Sequence, residues 1–323
     1  MKRDWPPLAL LAALILGALP LVASLPIWIT LTVAGLAMGM MIFVMASGLT
    51  LVFGLMDVLN FAHGAFISVG AYAAASVLLA LNGPAQAPGL AANLAAIVPA
   101  LLAAIALAAV LGWFFERVVI RPVYGDHLRQ ILVTMGGLIV IEQLIIVVWG
   151  TDRIALPRPA ALAGSFIFGD AAIERYRVLA VAVGLALFGA MWLLLNRTRI
   201  GLLVRAGVEN GEMVEALGYR IRLLFVGVFV AGSALAGLGG AMWAMYQESV
   251  SVQMGMQVLV MIFIVVIIGG LGSVGGCFVG ALLVGLMANY TGFLAPKLAL
   301  GSNILLMVLV LLWRPRGLYP VAK

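Results

Sequence analysis

Charged side chains are scarce in this chain. Asp, Glu, Lys and Arg make up 9% of its 323 residues, and 65% of the residues are hydrophobic, whereas soluble domains carry about 25% charged residues. A soluble catalytic or nucleotide-binding domain is therefore excluded. The apolar stretches are continuous rather than alternating, which also excludes a transmembrane β-barrel. The composition predicts an all-α fold, a polytopic transmembrane helical bundle.

Several chemical motifs are also missing. Cys277 is the single cysteine, so no intrachain disulfide can form. There is no GxxxxGK[ST] loop for nucleotide phosphates and no HExxH or CxxC metal spacing, and His63 and His127 have no obvious metal partners. No basic face with interleaved aromatic residues indicates nucleic acid as a partner. We expect no enzyme site, metal or cofactor here, so any energy must come from a gradient or another subunit.

What the chain does have is long apolar runs. About 20 mostly apolar residues are needed to cross roughly 30 Å of hydrocarbon, and windows of that size predict ten spans in one permease domain over residues 1–323. Some runs are short or broken by glycine, so the expected range is eight to ten spans with interrupted helices. A small-residue site at Val22-Ala23-Ser24 leaves open that the first run is a cleaved secretory signal. The runs are 8–24, 28–54, 61–82, 94–115, 131–149, 178–195, 223–247, 258–272, 277–294 and 299–313.

The basic residues predict the orientation. With ten spans both termini share one side, and placing them in the cytoplasm puts thirteen of the eighteen Lys and Arg residues there, in agreement with the positive-inside rule. The exception is the connection 150–177, which carries four arginines. The thirteen are Lys2, Arg3, Arg117, Arg121, Arg129, Arg197, Arg199, Arg205, Arg220, Arg222, Arg314, Arg316 and Lys323.

One long charged segment, about 196–222, interrupts the apolar chain. Such a cluster must lie in water between two spans, and a compact charged helix on one side of a membrane protein is typical of docking to a soluble partner. Asn210 can cap a short helix and Gly218 can end it. Met213 and Leu217, at i and i+4, would share the face presented to the partner. The candidate coupling residues are Glu209, Glu212, Met213, Glu215, Leu217 and Gly218.

Two glycine-containing interruptions lie in opposite halves of the chain, and paired interruptions are typical of a transporter's translocation route. The first, between Gly54 and Gly64, places Asp57, Asn60 and His63 within seven residues, and we interpret it as part of such a route. The second favours a tight turn with small-residue packing; its glycines are Gly269, Gly270, Gly272, Gly275 and Gly276.

Glu142 lies well inside the apolar run 131–149, followed by Gln143. A lone carboxylate there costs a few kcal/mol unless it is paired or hydrated, so we expect it to face the protein interior or a cavity, or to be protonated. It can line a pore, carry protons, or make a structural hydrogen bond to a neighbouring helix. Asn60, His63, Thr134, Glu142 and Gln143 are the candidate path residues. A proton- or sodium-coupled secondary transporter using Glu142 is the alternative function.

Five stretches together resemble the inner-membrane permeases of branched-chain amino-acid ABC importers, in the LivH-like form. Their order and spacing agree with that family from about residue 30 to 320. The stretches are LTLVFGLMDVLNFAHGAFISVGAY (Leu49–Tyr72), RPVYG with ILVTMGGLIVIEQL, RAGVENGEMVEALGYRI, GGLGSVGGCFVGALLVG and RPRGLYP.

The resemblance implies a subunit of the bacterial inner membrane, paired with a second, LivM-like permease as a heterodimer. It also implies two cytoplasmic ATPases that bind ATP and magnesium, and a periplasmic substrate-binding protein. In that family the loop 196–222 is the coupling element, although Glu215-Ala216-Leu217-Gly218 is only a shortened form of the usual motif. The implied substrates are branched-chain amino acids, while near relatives carry urea, amides, other amino acids or aromatic acids.

Overall fold

The computed structural model describes residues 5–22, 24–209 and 211–320, and most of that chain is helical. The all-α expectation is confirmed. The helices are α1 (Trp5–Val22), α2 (Leu25–Met56), α3 (His63–Ala80), α4 (Asn82–Gln86), α5 (Leu90–Phe115), α6 (His127–Trp149), α7 (Arg175–Arg197), α8 (Arg199–Glu209), α9 (Gly211–Ala216), α10 (Ile221–Gln247), α11 (Met254–Gly269), α12 (Val274–Leu294) and α13 (Ala299–Trp313).

Short elements complete the connections. A π-helical turn (Glu116–Ile120) and a 3₁₀ turn (Arg121–Val123) extend α5, and a second 3₁₀ turn (Pro296–Leu298) precedes α13. The four strands are β1 (Ile154–Ala155), β2 (Ser165–Phe168), β3 (Ala171–Glu174) and β4 (Ser249–Val250). β1 pairs with β4, and β2 with β3, both antiparallel.

Each predicted apolar run corresponds to one helix. Within the described residues, seven helices are long and apolar enough to cross a membrane: α2, α3, α5 with its following turns, α6, α7, α10 and α12. The apolar parts of α1, α11 and α13 are shorter. Most of these helices begin a few residues before the apolar run, and at α6 and α12 a polar side chain caps the first turn. Asp126 illustrates this at α6, where its carboxylate accepts the Arg129 N–H at 3.1 Å.

The connections collect at two ends of the bundle. At the arginine-rich end (connections 57–62, 116–126, 198–220, 270–273 and the segment 314–320), Asp57 lies 3.8 Å from His127 and the Tyr319 N–H donates to Gly269 at 3.0 Å. At the hairpin end (81–89, 150–174, 248–253 and 295–298), the Leu156 N–H donates to Glu248 at 2.9 Å. The sequence predicted that a set of basic residues share one side. Those of the set that the structure describes therefore lie at one end of the bundle.

Two sets of helices repeat one pattern in opposite directions: α2, α3, α5 and α6, and α10, α11, α12 and α13. The first helix of each set ends on an acidic residue in the left-handed conformation, Asp57 (φ 52°) and Glu248 (φ 52°). An extended segment follows, and the next helix then carries a glycine near its start, Gly64 and Gly255.

The helix contacts of the two sets also correspond. α5 packs on α10 as α12 packs on α2, and α6 packs on α3 as α13 packs on α11. Because α2 ends at the arginine-rich end and α10 at the hairpin end, the two sets form an inverted repeat, an arrangement found in many transporters.

The two halves of this repeat touch at Gly64 and Gly255. A Cβ at Gly255 would collide with the Gly64 carbonyl oxygen, and it would also lie only 2.5 Å from the Ser68 hydroxyl oxygen. The Ser68 hydroxyl lies within hydrogen-bond distance of the Val252 carbonyl (3.2 Å) and accepts the Gly255 N–H at 3.0 Å. This is a place where two backbones approach closely and glycine is required.

Gly255→Ala is therefore expected to destabilise the folded bundle by about 1–3 kcal/mol, the usual cost of overpacking. Gly292→Ala is the matched control, because Gly292 lies in α12 with open space around it; it should be neutral or slightly stabilising. Unfolding of both purified variants in mild detergent would test this, and equal midpoints would show that the contact is not tight.

Candidate functional site

The first interruption is buried within the bundle rather than lying on its surface. Asn60 and His63 are both about 1% exposed, and the His63 Nε2 lies 2.9 Å from the Met45 carbonyl oxygen. Met45 precedes the end of α2 at Met56 by roughly 16 Å, at 1.5 Å per helical residue. The segment 57–62 therefore folds back along α2 to membrane depth, where irregular backbone is tolerated only under the cover of protein or water.

Thr134 of α6 covers this segment. Its Oγ1 accepts the Phe61 N–H at 3.3 Å and lies 3.4 Å from the Leu59 carbonyl. The neighbouring Asn60 Oδ1 is buried and has no hydrogen-bond partner among the described residues. The three predicted path residues therefore lie close together: Asn60 is in the non-helical segment, His63 begins α3 directly after it, and Thr134 is on the helix that covers it. The Asn60 Oδ1 is the spare acceptor of the group.

Thr134→Val keeps the shape of this contact but leaves the Phe61 N–H without its acceptor. The expected cost is about 1–3 kcal/mol of folding free energy, the usual cost of an unsatisfied buried group, measured as a lower unfolding midpoint. Thr30→Val is the control, because the Thr30 hydroxyl bonds to Pro26 within its own helix. Equal midpoints for the two variants would contradict the covering role of Thr134.

Glu142 and Gln143 do not join this group. Glu142 is half-buried and Gln143 is exposed, beside the exposed Ile139 and Leu144. An interior position was one expectation for Glu142, but this residue lies beside the buried stripe of α6, which packs on α3, and not within it. The buried residues of that stripe are Gln130, Thr134, Leu138, Ile141 and Ile145.

A polar cluster at the start of α6 was not predicted from the sequence. Glu116 is 2% exposed and accepts a hydrogen bond of 2.5 Å from the Tyr124 hydroxyl. Burial, and then this bond, raise the pKa of the Tyr124 phenol, which therefore stays protonated and donates. The Gln130 side-chain amide donates to Val123 at 3.1 Å. Glu116 ends an apolar run, where a charge usually marks the membrane surface, so the sequence carried no signal that it was buried.

The charged segment forms two short helices, α8 and α9, at the arginine-rich end. α9 ends before Gly218, which has φ +86° and donates its N–H to Glu215 at 2.9 Å, as predicted for a glycine stop. Val214 is buried, which fixes α9 to the protein. Asn210 lies outside the described residues, as do the side chains of Glu209 and Glu212.

Four large apolar side chains in this region point outward, and we name them the coupling surface: Met213, Leu217, Tyr219 and Leu223, which are 53–70% exposed. An open concavity of ≈400 Å³ lies beside them. Its lining mixes apolar and charged groups: Glu215, Gly218, Tyr219, Arg220, Arg222 and Leu223. Exposed apolar groups rimmed by charge are typical of a protein docking surface.

The second interruption is a tight turn at the arginine-rich end. Gly270 and Gly272 have φ values of +98° and +81°, and the backbones of Gly269 and Gly276 touch. Gly54 packs against Gly272, and a Cβ on Gly54 would lie 2.8 Å from the Gly272 Cα. Gly275 has open space. The structural counterpart of the first interruption is the connection 248–253, which sequence analysis did not identify.

Comparison with known proteins places the chain in a family. The family model for the branched-chain amino acid transport system / permease component matches residues 31–313. The chain belongs to this permease family. No solved structure matches it.

Relatives are similar over most of their length. The chain is 28% identical to the high-affinity branched-chain amino acid transport system permease protein BraD of Pseudomonas aeruginosa, over 88% of this chain and 94% of that protein. It is 25% identical to LivH of Escherichia coli K12, over 88% and 92%. The chain is also 27% identical to LivM of the same bacterium, over 88% of this chain and 69% of that protein.

Membership defines the class of this protein. It is a multi-pass membrane protein and a permease component of a transport system, not an enzyme. The family match begins inside α2 and ends at Trp313, so it covers nearly all of both inverted sets. α1 lies outside the match, but it packs on α12 and α2, and the Trp28 indole donates to the Ile15 carbonyl at 2.9 Å.

Proposed function

We propose that this permease is the membrane subunit of an ATP-driven importer. It carries branched-chain amino acids or related small amino-acid-like solutes from a periplasmic binding protein into the cytoplasm by alternating access. The observation that carries the proposal is the family match across both inverted sets. The substrate class follows from relatives such as BraD and LivH, which are permeases for branched-chain amino acids.

The subunit works in the bacterial inner membrane with its arginine-rich end and both termini in the cytoplasm, as the positive-inside rule favours. Its partners are a LivM-like second permease, two cytoplasmic ATPases that hold ATP and magnesium, and the binding protein. The similarity to both LivH and LivM proteins supports a permease pair. The coupling surface lies at the arginine-rich end, where a cytoplasmic ATPase can reach it.

The translocation path runs along α6, with Glu142 and Gln143 on the side of the second permease and with Asn60, His63 and Thr134 at the folded-back segment on its inner side. Glu142 and Gln143 support this placement, because a carboxylate and an amide on an otherwise apolar span are costly against lipid. A second subunit or a hydrated path covers them at lower cost. The interior cavity among α5, α7 and α10, of ≈40 Å³ and entirely apolar, is far smaller than the roughly 300–1,000 Å³ of small-molecule sites.

The mechanism follows from how α9 connects to the bundle. α8 packs on α2, and α2 carries the folded-back segment at one end while its middle packs on α10. Movement of α9 with the ATPases therefore reaches both inverted sets through rigid helices. The corners at Asp57 and Glu248 are the expected hinges, since they are short non-helical connections between packed helices.

Uptake by proteoliposomes tests the proposal. The chain is reconstituted with its candidate partners, with and without internal ATP and binding protein, and labelled leucine, isoleucine, valine, urea and aromatic acids are screened. Strict dependence of uptake on both ATP and the binding protein is expected. Uptake by this chain alone under a proton gradient, abolished by Glu142→Gln, would instead establish the secondary transporter.

A further inference from the structure

The hairpin formed by β2 and β3 presents an apolar edge that nothing within the described chain covers. Phe166, Ile167 and Phe168 are 45%, 77% and 67% exposed. In the register of the pair, Phe166 and Phe168 point to one face of β2 and Ile167 to the other. Both faces of an edge strand are therefore apolar, which is unusual in water and marks an interaction surface.

The hairpin lies at the rim of its end of the bundle. β3 packs on α2 and α7, and α7 is among the most exposed spans, with 17% of its apolar window buried. The exposed residues Val178 and Leu179 begin the outward face of α7 within about one turn of the hairpin. The apolar edge of β2 thus continues the lipid-facing surface of α7.

Other connections at the same end bond to each other. The Ala160 N–H donates to Ala85 at 2.9 Å, and the Ala161 N–H donates to the Asn93 side chain at 2.7 Å. The hairpin takes no part in these bonds, and β3 packs on α2 and α7 instead. The apolar edge of β2 beside the exposed helix α7 favours the membrane surface over a soluble partner.

A cation accompanies the aromatic edge. The exposed Arg175 guanidinium lies 5.6 Å from the centroid of the Phe166 ring. Aromatic side chains concentrate at the boundary between headgroups and acyl chains, and arginine there keeps its charge in the polar layer while its stem lies on apolar groups.

We propose that the hairpin Ser165–Glu174 is a membrane-interface anchor. Phe166, Ile167 and Phe168 enter the boundary between headgroups and acyl chains of the adjacent leaflet, and Arg175 pairs with a phospholipid phosphate. The anchor holds the connection between α6 and α7 at a fixed height on the bilayer. It depends on neither the substrate nor the orientation of the chain.

Spin-label accessibility tests the anchor in the full chain, reconstituted into phospholipid nanodiscs. A nitroxide on Ile167→Cys should be more accessible to oxygen, which dissolves in lipid, than to a water-soluble nickel chelate. Leu185→Cys on the outward face of α7 is the lipid reference, and Thr151→Cys, exposed in the same connection, is the water reference. Cys277 is fully buried, so labelling stays selective.

An oxygen-to-nickel ratio for position 167 shifted from the Thr151 value toward the Leu185 value supports the anchor. A ratio equal to that of Thr151 overturns it, since the hairpin would then lie in water. Shielding from both reagents also overturns it, because it would indicate contact with protein. Phe168→Cys provides a second label whose ratio should shift in the same direction.

Discussion

Leu217→Ala is expected to lower ATP-driven uptake about tenfold, which corresponds to the loss of about 1.4 kcal/mol of interaction with the ATPase. The Leu217 side chain is 70% exposed at the arginine-rich end, so its truncation removes little packing inside this chain. If α9 transmits movement from an ATPase, the loss should appear as ATP hydrolysis that no longer responds to substrate-loaded binding protein. Reconstituted uptake and ATPase rates, measured on the same preparation, give both quantities.

Leu298→Ala is the matched control, because Leu298 is 66% exposed in the short turn before α13, at the opposite end of the bundle. Uptake and ATPase stimulation should stay unchanged in that variant. Co-purification of the ATPases with Leu217→Ala should remain, since the other residues of the coupling surface are intact. Normal substrate-stimulated turnover by Leu217→Ala would show that α9 does not couple the two activities.

The positions of the spans were predictable from the sequence, because a helix that crosses the bilayer must be apolar where it lies in hydrocarbon. Each of the ten runs matches a helix, and the break at 57–62 lies where polar residues interrupt the pattern. Its depth was not predictable. That depth depends on the segment folding back along α2 until His63 reaches Met45, a contact set by tertiary packing.

The orientation of Glu142 was hidden for a related reason. α6 is apolar on nearly all sides, so its periodicity does not indicate which face packs on the protein. Thr134 was predicted in the path and covers the folded-back segment, while Glu142 lies on another side of the helix. Only the contact of α6 with α3 determines that difference.

The inverted repeat was equally difficult to read from the sequence. Asp57 and Glu248 adopt nearly the same backbone conformation, yet the residues that follow them, VLNFAHG and SVSVQMG, share little besides the final glycine. Because non-glycine residues rarely adopt positive φ, no propensity indicates these corners. The glycine-rich run 269–276 offered a stronger signal and belongs to an ordinary tight turn.

Arg158→Met is expected to destabilise the hairpin end by roughly 2 kcal/mol, within the range for losing hydrogen bonds that involve a charged group. The Arg158 side chain is 11% exposed, and its guanidinium lies 3.0 Å from both Glu174 and Glu248. The larger cost of a fully buried ion pair does not apply, because Glu174 and Glu248 are 33% and 55% exposed and Glu174 also pairs with Arg177. The change also leaves the Met245 and Tyr246 carbonyls without the 3.2 Å bonds that Arg158 donates. Thermal unfolding of the purified chain would show the loss as a lower midpoint.

Arg153→Met is the matched control, because it removes one arginine charge from the same connection but leaves the contacts of Arg158 intact. Arg153 lies on the same connection and donates one hydrogen bond, of 2.6 Å, to Ser249, so its removal should cost about 1 kcal/mol. Equal midpoints for the two variants would mean that the network at Arg158 contributes nothing beyond a single bond. A larger loss at Arg158 would show that its pairing with Glu174 and Glu248 and its stacking on Tyr176 at 5.0 Å hold this end of the bundle together.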